Sequence, residues 1–549
     1  MNARSLALRV GAHAGLAIGL TWPVAADLGG SVPGAGRTDL WNSIWSLWFV
    51  AESALQGRLP WSTGLLDHPD GGVLVVADPV NATLALPLTI AFGPSVAYAL
   101  VVLAQLVFAG LAAFALARHL FGHDAAGWVA GPTFMAAPVL ISGVHNGTSE
   151  AFAGGWLALA VLGLFVASEG RRVVGAGVVL GIATVASWYL GVVAWMFWLA
   201  LLVFGRRGVA RRDSALRLAA VGGLALAIAL PAAGLAKAGS IHEDNLVGIK
   251  NKRELMSVRR SIGVADPRGW FVPGDFRSPD FRKLSRYGEE FIHCHYLGWT
   301  LLLGSAGALL LRREREDKRV LIAAGLTAGV LAMGPVVAMD GAPLILEGRR
   351  GVPLPYFLIE GAPGFDGLSL LYRFAAGPAL VVAVLAGGLA ARFPRAAPLL
   401  ALVALAELRF ASPVAGLPHH ESVLTSEPLD WLAEAPEGAV MNFPVVGGRS
   451  YLFEQTVHGK PIAGSLNFPN NRASMKVWAA ALDSLERDDS EAEFAEHVGA
   501  VARRQGIRYV VVHLDPMARP DMHDEAVRAL RAAVPAASEA PSIRVHQLW

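Results

Sequence analysis

Apolar residues fill this chain in long blocks, broken by short basic or Gly- and Pro-containing stretches. Blocks of roughly 17–25 apolar residues suit helices that cross a bilayer. They fall at 6–27, 95–117, 124–142, 150–168, 173–187, 189–205, 215–236, 294–311, 319–338, 373–391 and 396–412. The pattern predicts a helix in each, hence about eleven spans. The cut within 173–205 rests on "SWYLG" at 187–191, and one long helix there would reverse the side of everything downstream. The first block is taken as an anchor: "VAA" at 24–26 resembles a cleavage site, but the block exceeds the roughly 7–15 apolar residues of a signal peptide.

Lysine and arginine in short loops stay preferentially on the cytoplasmic side. Arg4, Arg9, Arg118, Arg171 and Arg172, then "RRGVARRDSALR" at 206–217, "RRERED" at 312–317 and "RFPR" at 392–395 all fall on one side if there are about eleven spans. The amino terminus is then cytoplasmic. The opposite side receives the outer loops 28–94, 237–293 and 339–372.

After Pro413 the pattern changes. "GAVMNFPV" (438–445) and "GIRYVVVHL" (506–514) predict short buried strands, and Phe494, Val498 and Val501 recur at helical spacing within 489–505. The expected organisation is mainly α: a polytopic transmembrane domain over 1–412, followed by a small extracytoplasmic α/β domain over 413–549.

Composition agrees: 549 residues, 54% hydrophobic and 16% charged, describe an integral membrane protein. A net charge of +2 argues against a nucleic-acid partner. The one cysteine, Cys294, cannot close an intramolecular disulfide.

The first outer loop carries the most pointed chemistry. In "GRTDLWNSIWSLWF" (36–49), Asp39 precedes Trp41, Trp45 and Trp48 at i, i+4 and i+7, which one helix face would present together. Such a face suits the membrane interface, with Thr38 or Asp39 as its N-cap. Asp39 thus has two readings, a helix cap or a carboxylate placed at the level of lipid headgroups.

Several stretches in order resemble the GT-C superfamily of polytopic membrane glycosyltransferases, and more narrowly its bacterial members. These are the acid-led tryptophan stretch, "HPDGG" at 68–72, "LARHLFG" at 116–122, "AAGWVAG" at 125–131, "GVHNGTSEAF" at 143–152, "LYRFAAGPALVVAVLAGGLAARF" at 371–393 and the terminal "GIRYVVVH". The resemblance implies a donor sugar on a polyprenyl phosphate, an envelope acceptor (lipid, polysaccharide or protein), and a place in the bacterial inner membrane with the C-terminal domain periplasmic. It implies that Asp39 activates the acceptor or holds a divalent cation (Mg or Mn), with Glu150 as the second acid. His145, Asn146, Arg373 and Trp41 are the implied substrate-binding residues. The family's usual paired acids are missing around Glu150, which sets this chain apart on metal dependence.

The residue chemistry is consistent with that role. Glycosyl transfer needs a base for the acceptor proton and a cation for the departing phosphate, which arginine forks suit. Arg259, Arg260, Arg277, Arg282, Arg286, Arg349, Arg350 and Arg373 all fall outside, and Arg373 at the mouth of a span is favoured because a charge there needs a partner. Asp67, Asp70 and Asp78 are read as turn residues, and the adjacent His293, Cys294 and His295 have poor spacing for structural zinc. Two other functions remain open: an inactive GT-C-like scaffold for envelope assembly, in which Asp39 only caps, and a lipid or oligosaccharide transporter. A transporter predicts paired broken helices in two halves, and no such pairing is evident in the sequence.

Overall fold

The computed structural model describes residues 3–205, 209–239, 263–276, 291–310, 315–344, 351–411, 420–423, 426–443, 449–514 and 520–549. Every predicted apolar block contains helix: Ala3–Leu20, Pro94–Phe121, Asp124–Met135 with Pro138–His145, Gly154–Ser168, Val173–Ala186, Trp188–Phe204, Val209–Ala238, Trp299–Leu310, Arg315–Ala332, Ala376–Arg392 and Ala397–Phe410. Among the described residues, four helical stretches are long and apolar enough to cross a membrane: Pro94–Phe121, Asp124–His145, Arg212–Ala238 and Leu371–Arg392.

The cut within 173–205 falls where "SWYLG" placed it. Ser187 is extended (φ −155°, ψ 113°), and its hydroxyl accepts the Leu190 amide at 3.3 Å, so one helix ends and the next is capped. Helices approach closely where one side is small. A Cβ on Gly387 would stand 2.5 Å from the Ala126 carbonyl, so the Ala376–Arg392 and Asp124–Met135 helices touch backbone to backbone there.

The C-terminal part carries a four-stranded sheet. Ala439–Phe443 runs parallel to Ile507–His513, which pairs antiparallel with Ile543–Gln547, and that strand with Ala536–Glu539. Both predicted strands are there, and the 489–505 pattern is the helix Glu491–Arg504, entered through a Ser490–Glu493 capping box.

This part is stitched to the loop 28–94. Ser31–Pro33 pairs antiparallel with His420–Ser422, and the Gly36 amide donates to the Glu421 carboxylate at 3.1 Å. In the "HPDGG" region the Asp67 and His68 amides donate to Gly464 and Ile462, at 2.7 and 3.1 Å. One hydrophobic core runs from the apolar helices into Tyr451, Leu452 and Tyr509, and a smaller one lies under the sheet.

Candidate functional site

Asp39 is the residue before the helix Leu40–Leu55. Its loop is sewn to the 145–149 segment: Ala35 and Asp39 donate backbone amides to the carbonyls of His145 (2.8 Å) and Asn146 (3.1 Å), and Ser43 Oγ donates to Gly147 (2.7 Å). Gly147 makes this approach possible. Its φ is +60°, and a Cβ there would stand 2.5 Å from the Leu40 nitrogen.

The Asp39 carboxylate makes no capping hydrogen bond. One oxygen pairs with Arg449 Nη1 at 2.5 Å and the other accepts Thr148 Oγ1 at 3.2 Å. Arg449 is steadied from behind. Its Nε donates to the Leu466 carbonyl (3.2 Å), Nη2 to Asn467 Oδ1 (3.0 Å) and Nη1 to the Thr38 carbonyl (3.3 Å). The Asp39 side chain is 21% exposed and that of Arg449 13%.

The interfacial expectation does not hold for two of the three tryptophans, while Trp48 is only half-buried. Trp41 and Trp45 are 2% and 0% exposed, because the Ser450–His458 helix covers them. Trp41 packs on Phe453 with centroids 5.1 Å apart, and Trp45 Nε1 donates to Gln455 Oε1 at 2.8 Å. Trp41, expected to bind substrate, is instead spent on this packing.

A second acid–arginine pair lies two residues past Thr148. Arg373, in the 3-10 turn Leu371–Ala375 that leads into the Ala376–Arg392 helix, donates to Glu150. Its guanidinium sits over the Tyr189 ring, 4.9 Å from the centroid, and Tyr189 Oη accepts the Ser369 and Leu370 amides at 3.1 Å each. Arg373 is 3% exposed, and its Nε has no hydrogen-bond partner among the described residues. A buried charged donor without a partner calls for an explanation.

Asn146 and His145 are brought alongside but are used differently. The Asn146 amide donates to the Ile292 carbonyl (2.8 Å) and Tyr372 Oη (3.3 Å) and accepts the Ile292 amide (2.8 Å), so it ties two outer segments together. His145 is 2% exposed, at the end of its helix. His293 stacks on Tyr372 at 4.0 Å, while His295 bonds to the Asp266 carbonyl at 2.8 Å.

Beneath the pairs, Asp78 caps the helix Pro79–Leu84 from a left-handed conformation (φ 51°), accepting the Asn81 amide at 3.0 Å. Burial raises its carboxyl to about 7, against the lowering effect of the Asn81 hydrogen bonds, and the charge of Glu150 adds to the rise. Tyr98, 1% exposed, lies within electrostatic reach of Asp39, and its hydroxyl has no hydrogen-bond partner among the described residues.

Among the described residues, no group of three or more His, Cys, Asp or Glu side chains converges as metal ligands would. Arg259, Arg260, Arg277, Arg282, Arg286, Arg349 and Arg350 lie outside the described residues. Sequence analysis missed Arg449 and Thr148. Arg449 follows a predicted strand and a Gly-Gly pair, the kind of strand-to-helix connection that often carries binding groups.

A family model described as a domain of unknown function (DUF6311) matches residues 45–347. No curated protein matches the chain in sequence. Among solved structures, the archaeal oligosaccharyltransferase AglB from Archaeoglobus fulgidus, in complex with an inhibitory peptide and a dolichol-phosphate, is similar with a TM-score of 0.51 at 13% identity, over 92% of this chain and 69% of that one. ArnT from Cupriavidus metallidurans, bound to undecaprenyl phosphate, gives a TM-score of 0.43 at 12% identity, over 100% of this chain and 99% of that one. At these identities the likeness concerns the fold.

Proposed function

The chain belongs to the DUF6311 family and has a GT-C-like fold, and from that premise we propose that it is a membrane glycosyltransferase. It moves a sugar from a polyprenyl-phosphate donor to an envelope acceptor at the outer face of the bacterial inner membrane. The observation that carries this reading is the use of Asp39: its carboxylate is not spent on capping but is held, part exposed, between Arg449 and Thr148. The scaffold alternative needed Asp39 only as a cap. AglB, of like fold, holds a dolichol-phosphate, which points by analogy of fold to a lipid phosphate.

In the proposed step, an acceptor hydroxyl or amide gives its proton to Asp39 as its oxygen or nitrogen bonds to the anomeric carbon. The bond from that carbon to the phosphate oxygen breaks, and its electron pair leaves with the polyprenyl phosphate. Arg373, with a buried Nε free to donate, stabilises the charge that gathers on the phosphate. Glu150 holds Arg373 in place rather than acting on substrate.

A divalent cation on Asp39 and Glu150 does not fit these residues. Each acid already has a guanidinium partner, and no third ligand accompanies them among the described residues.

The proposed orientation puts the amino terminus in the cytoplasm, with about eleven spans and residues 413–549 in the periplasm. Arg9 and Arg118 both pair with Asp124 at 2.6 Å, which supports one basic pole for three helix ends. The test is transfer of radiolabelled sugar from a panel of polyprenyl-phosphate sugars to a membrane extract by the purified, reconstituted protein. Transfer from at least one donor, reduced about 10²-fold or more in Arg373→Gln, is expected. Full transfer by the Arg373→Gln protein would remove Arg373 from the site.

A further inference from the structure

The Asp39–Arg449 pair poses a difficulty for catalysis. A base must take a proton, but protonating Asp39 in this geometry would remove a carboxylate charge held 2.5 Å from Arg449, which is 13% exposed. The structure holds both halves of a way out.

Arg449 comes from the C-terminal part, immediately before the Ser450–His458 helix, and Asp39 stands immediately before the Leu40–Leu55 helix. The two helices pack through Trp41 on Phe453 and Trp45 on Gln455, which sets the two residues face to face. The Arg449 side chain is fixed by Leu466, Asn467 and Thr38 independently of Asp39. It would therefore keep its place if the carboxylate were exchanged for another anion. Two further groups there are buried without hydrogen-bond partners among the described residues: the Tyr98 hydroxyl, within electrostatic reach of Asp39, and Nε of Arg373. Thr148, which donates to Asp39, and Glu150, which pairs with Arg373, stand two residues apart in the same segment.

We propose that Arg449 is the anchor for the donor's phosphate and that Asp39 occupies it until the donor arrives. A phosphate ester matches the guanidinium fork as a carboxylate does, and carries more charge-bearing oxygens. When phosphate takes Arg449, Asp39 keeps only the Thr148 hydroxyl and becomes available to the acceptor proton. The base is thus masked until a donor is bound, which guards against idle hydrolysis. The proposal rests on the transferase reading for its purpose, but the exchange itself is a binding event.

Reciprocity supplies the test: if phosphate displaces Asp39 from Arg449, Asp39 must weaken phosphate binding by the same factor. Undecaprenyl phosphate binding is measured on the full chain in nanodiscs of neutral lipid, for wild type, Asp39→Asn, Arg449→Gln and the double variant, each checked for folding by thermal unfolding. Asp39→Asn is expected to bind about tenfold tighter, and Arg449→Gln about tenfold weaker. In the double variant the gain from Asp39→Asn disappears. If Arg449→Gln fails to fold, Asp39→Asn and the charge-balanced double variant decide the matter.

Binding by Asp39→Asn equal to or weaker than wild type would overturn the proposal, as would a gain that survives in the double variant. Parallel titrations with inorganic phosphate and phosphatidic acid separate the sources. A gain confined to undecaprenyl phosphate supports the lipid-linked donor, and an equal gain with inorganic phosphate supports the anchor with free phosphate as its ligand. Because no turnover is needed, the expected binding pattern without transfer would sink the transferase reading alone, and transfer with unaltered binding would sink the masking alone.

Discussion

At the residue scale the chain uses buried charge in two different ways. Near the acids of the outer loops, carboxylates are met by arginines. In the C-terminal part, burial instead favours the neutral form. Glu454, 1% exposed, has its carboxyl raised to about 8 by burial, and His458 is lowered to about 3 by burial and the charge of Lys460.

The signs differ. Between pH 4.5 and about 8, native Glu454 keeps a proton the unfolded chain has lost, so stability falls as pH rises. Between about 3 and 6.5, unfolded His458 holds a proton the native chain lacks, so stability rises with pH. For an opening confined to the C-terminal part, which leaves Asp78 in place, the two offset across 4.5–6.5, and above that Glu454 is the one of the pair that still titrates. Hydrogen-exchange protection of the Ile507–His513 strand should therefore be level between those values and fall by about 1.5 kcal/mol from 6.5 to 8. Glu454→Gln should abolish the fall, and an unchanged fall in that variant would show that another group titrates.

Asp39 could be singled out from the sequence because it leads the tryptophan run, and Glu150 because 143–152 resembles the corresponding GT-C segment. Arg449 could not. Its partner is 410 residues away (449 − 39), and a contact of that range leaves no local pattern. The same distance explains why cap and base could not be told apart beforehand: the outcome depends on whether another cation reaches the carboxylate.

At the scale of elements, apolar length places helices well, since any long apolar block in lipid must satisfy its backbone internally. Periodicity gave the Leu40–Leu55 helix its tryptophan face but not the partner of that face. Interface lipid and a second protein helix reward the same indole side chains, and only the fold distinguishes them. The helices Ser450–His458 and Arg472–Glu486 and the strands Ala536–Glu539 and Ile543–Gln547 were not singled out, because short elements in a charged region have weak patterns.

Gly147 is the element-level point where the site is most open to disruption. Gly147→Ala must hold φ near +60°, costing about 1–3 kcal/mol, and its methyl would press on Leu40. The helix start that carries Asp39 would shift, so transfer should fall about 10²-fold while membrane insertion persists. Transfer at the wild-type rate would mean that the 145–149 segment does not position Asp39.

For the whole molecule, the C-terminal part is not an appendage. It pairs with Ser31–Pro33, receives the 67–68 amides, covers the tryptophans and delivers Arg449 to the first outer loop. Elsewhere Arg9 and Arg118 meet on Asp124. The assembly of the candidate site from three distant segments was not readable, because it depends on packing between blocks that are all equally apolar.

Whether Asp39 is a base is decided by comparing transfer from a polyprenyl-phosphate sugar for wild type, Asp39→Asn and Asp39→Glu, at equal amounts of folded, inserted protein. Asparagine keeps the size and capping ability of aspartate but takes no proton at neutral pH. Loss of 10²-fold or more in Asp39→Asn, with partial activity in Asp39→Glu, is the expected result. Transfer by Asp39→Asn at the wild-type rate would contradict it and leave Asp39 as a structural partner of Arg449.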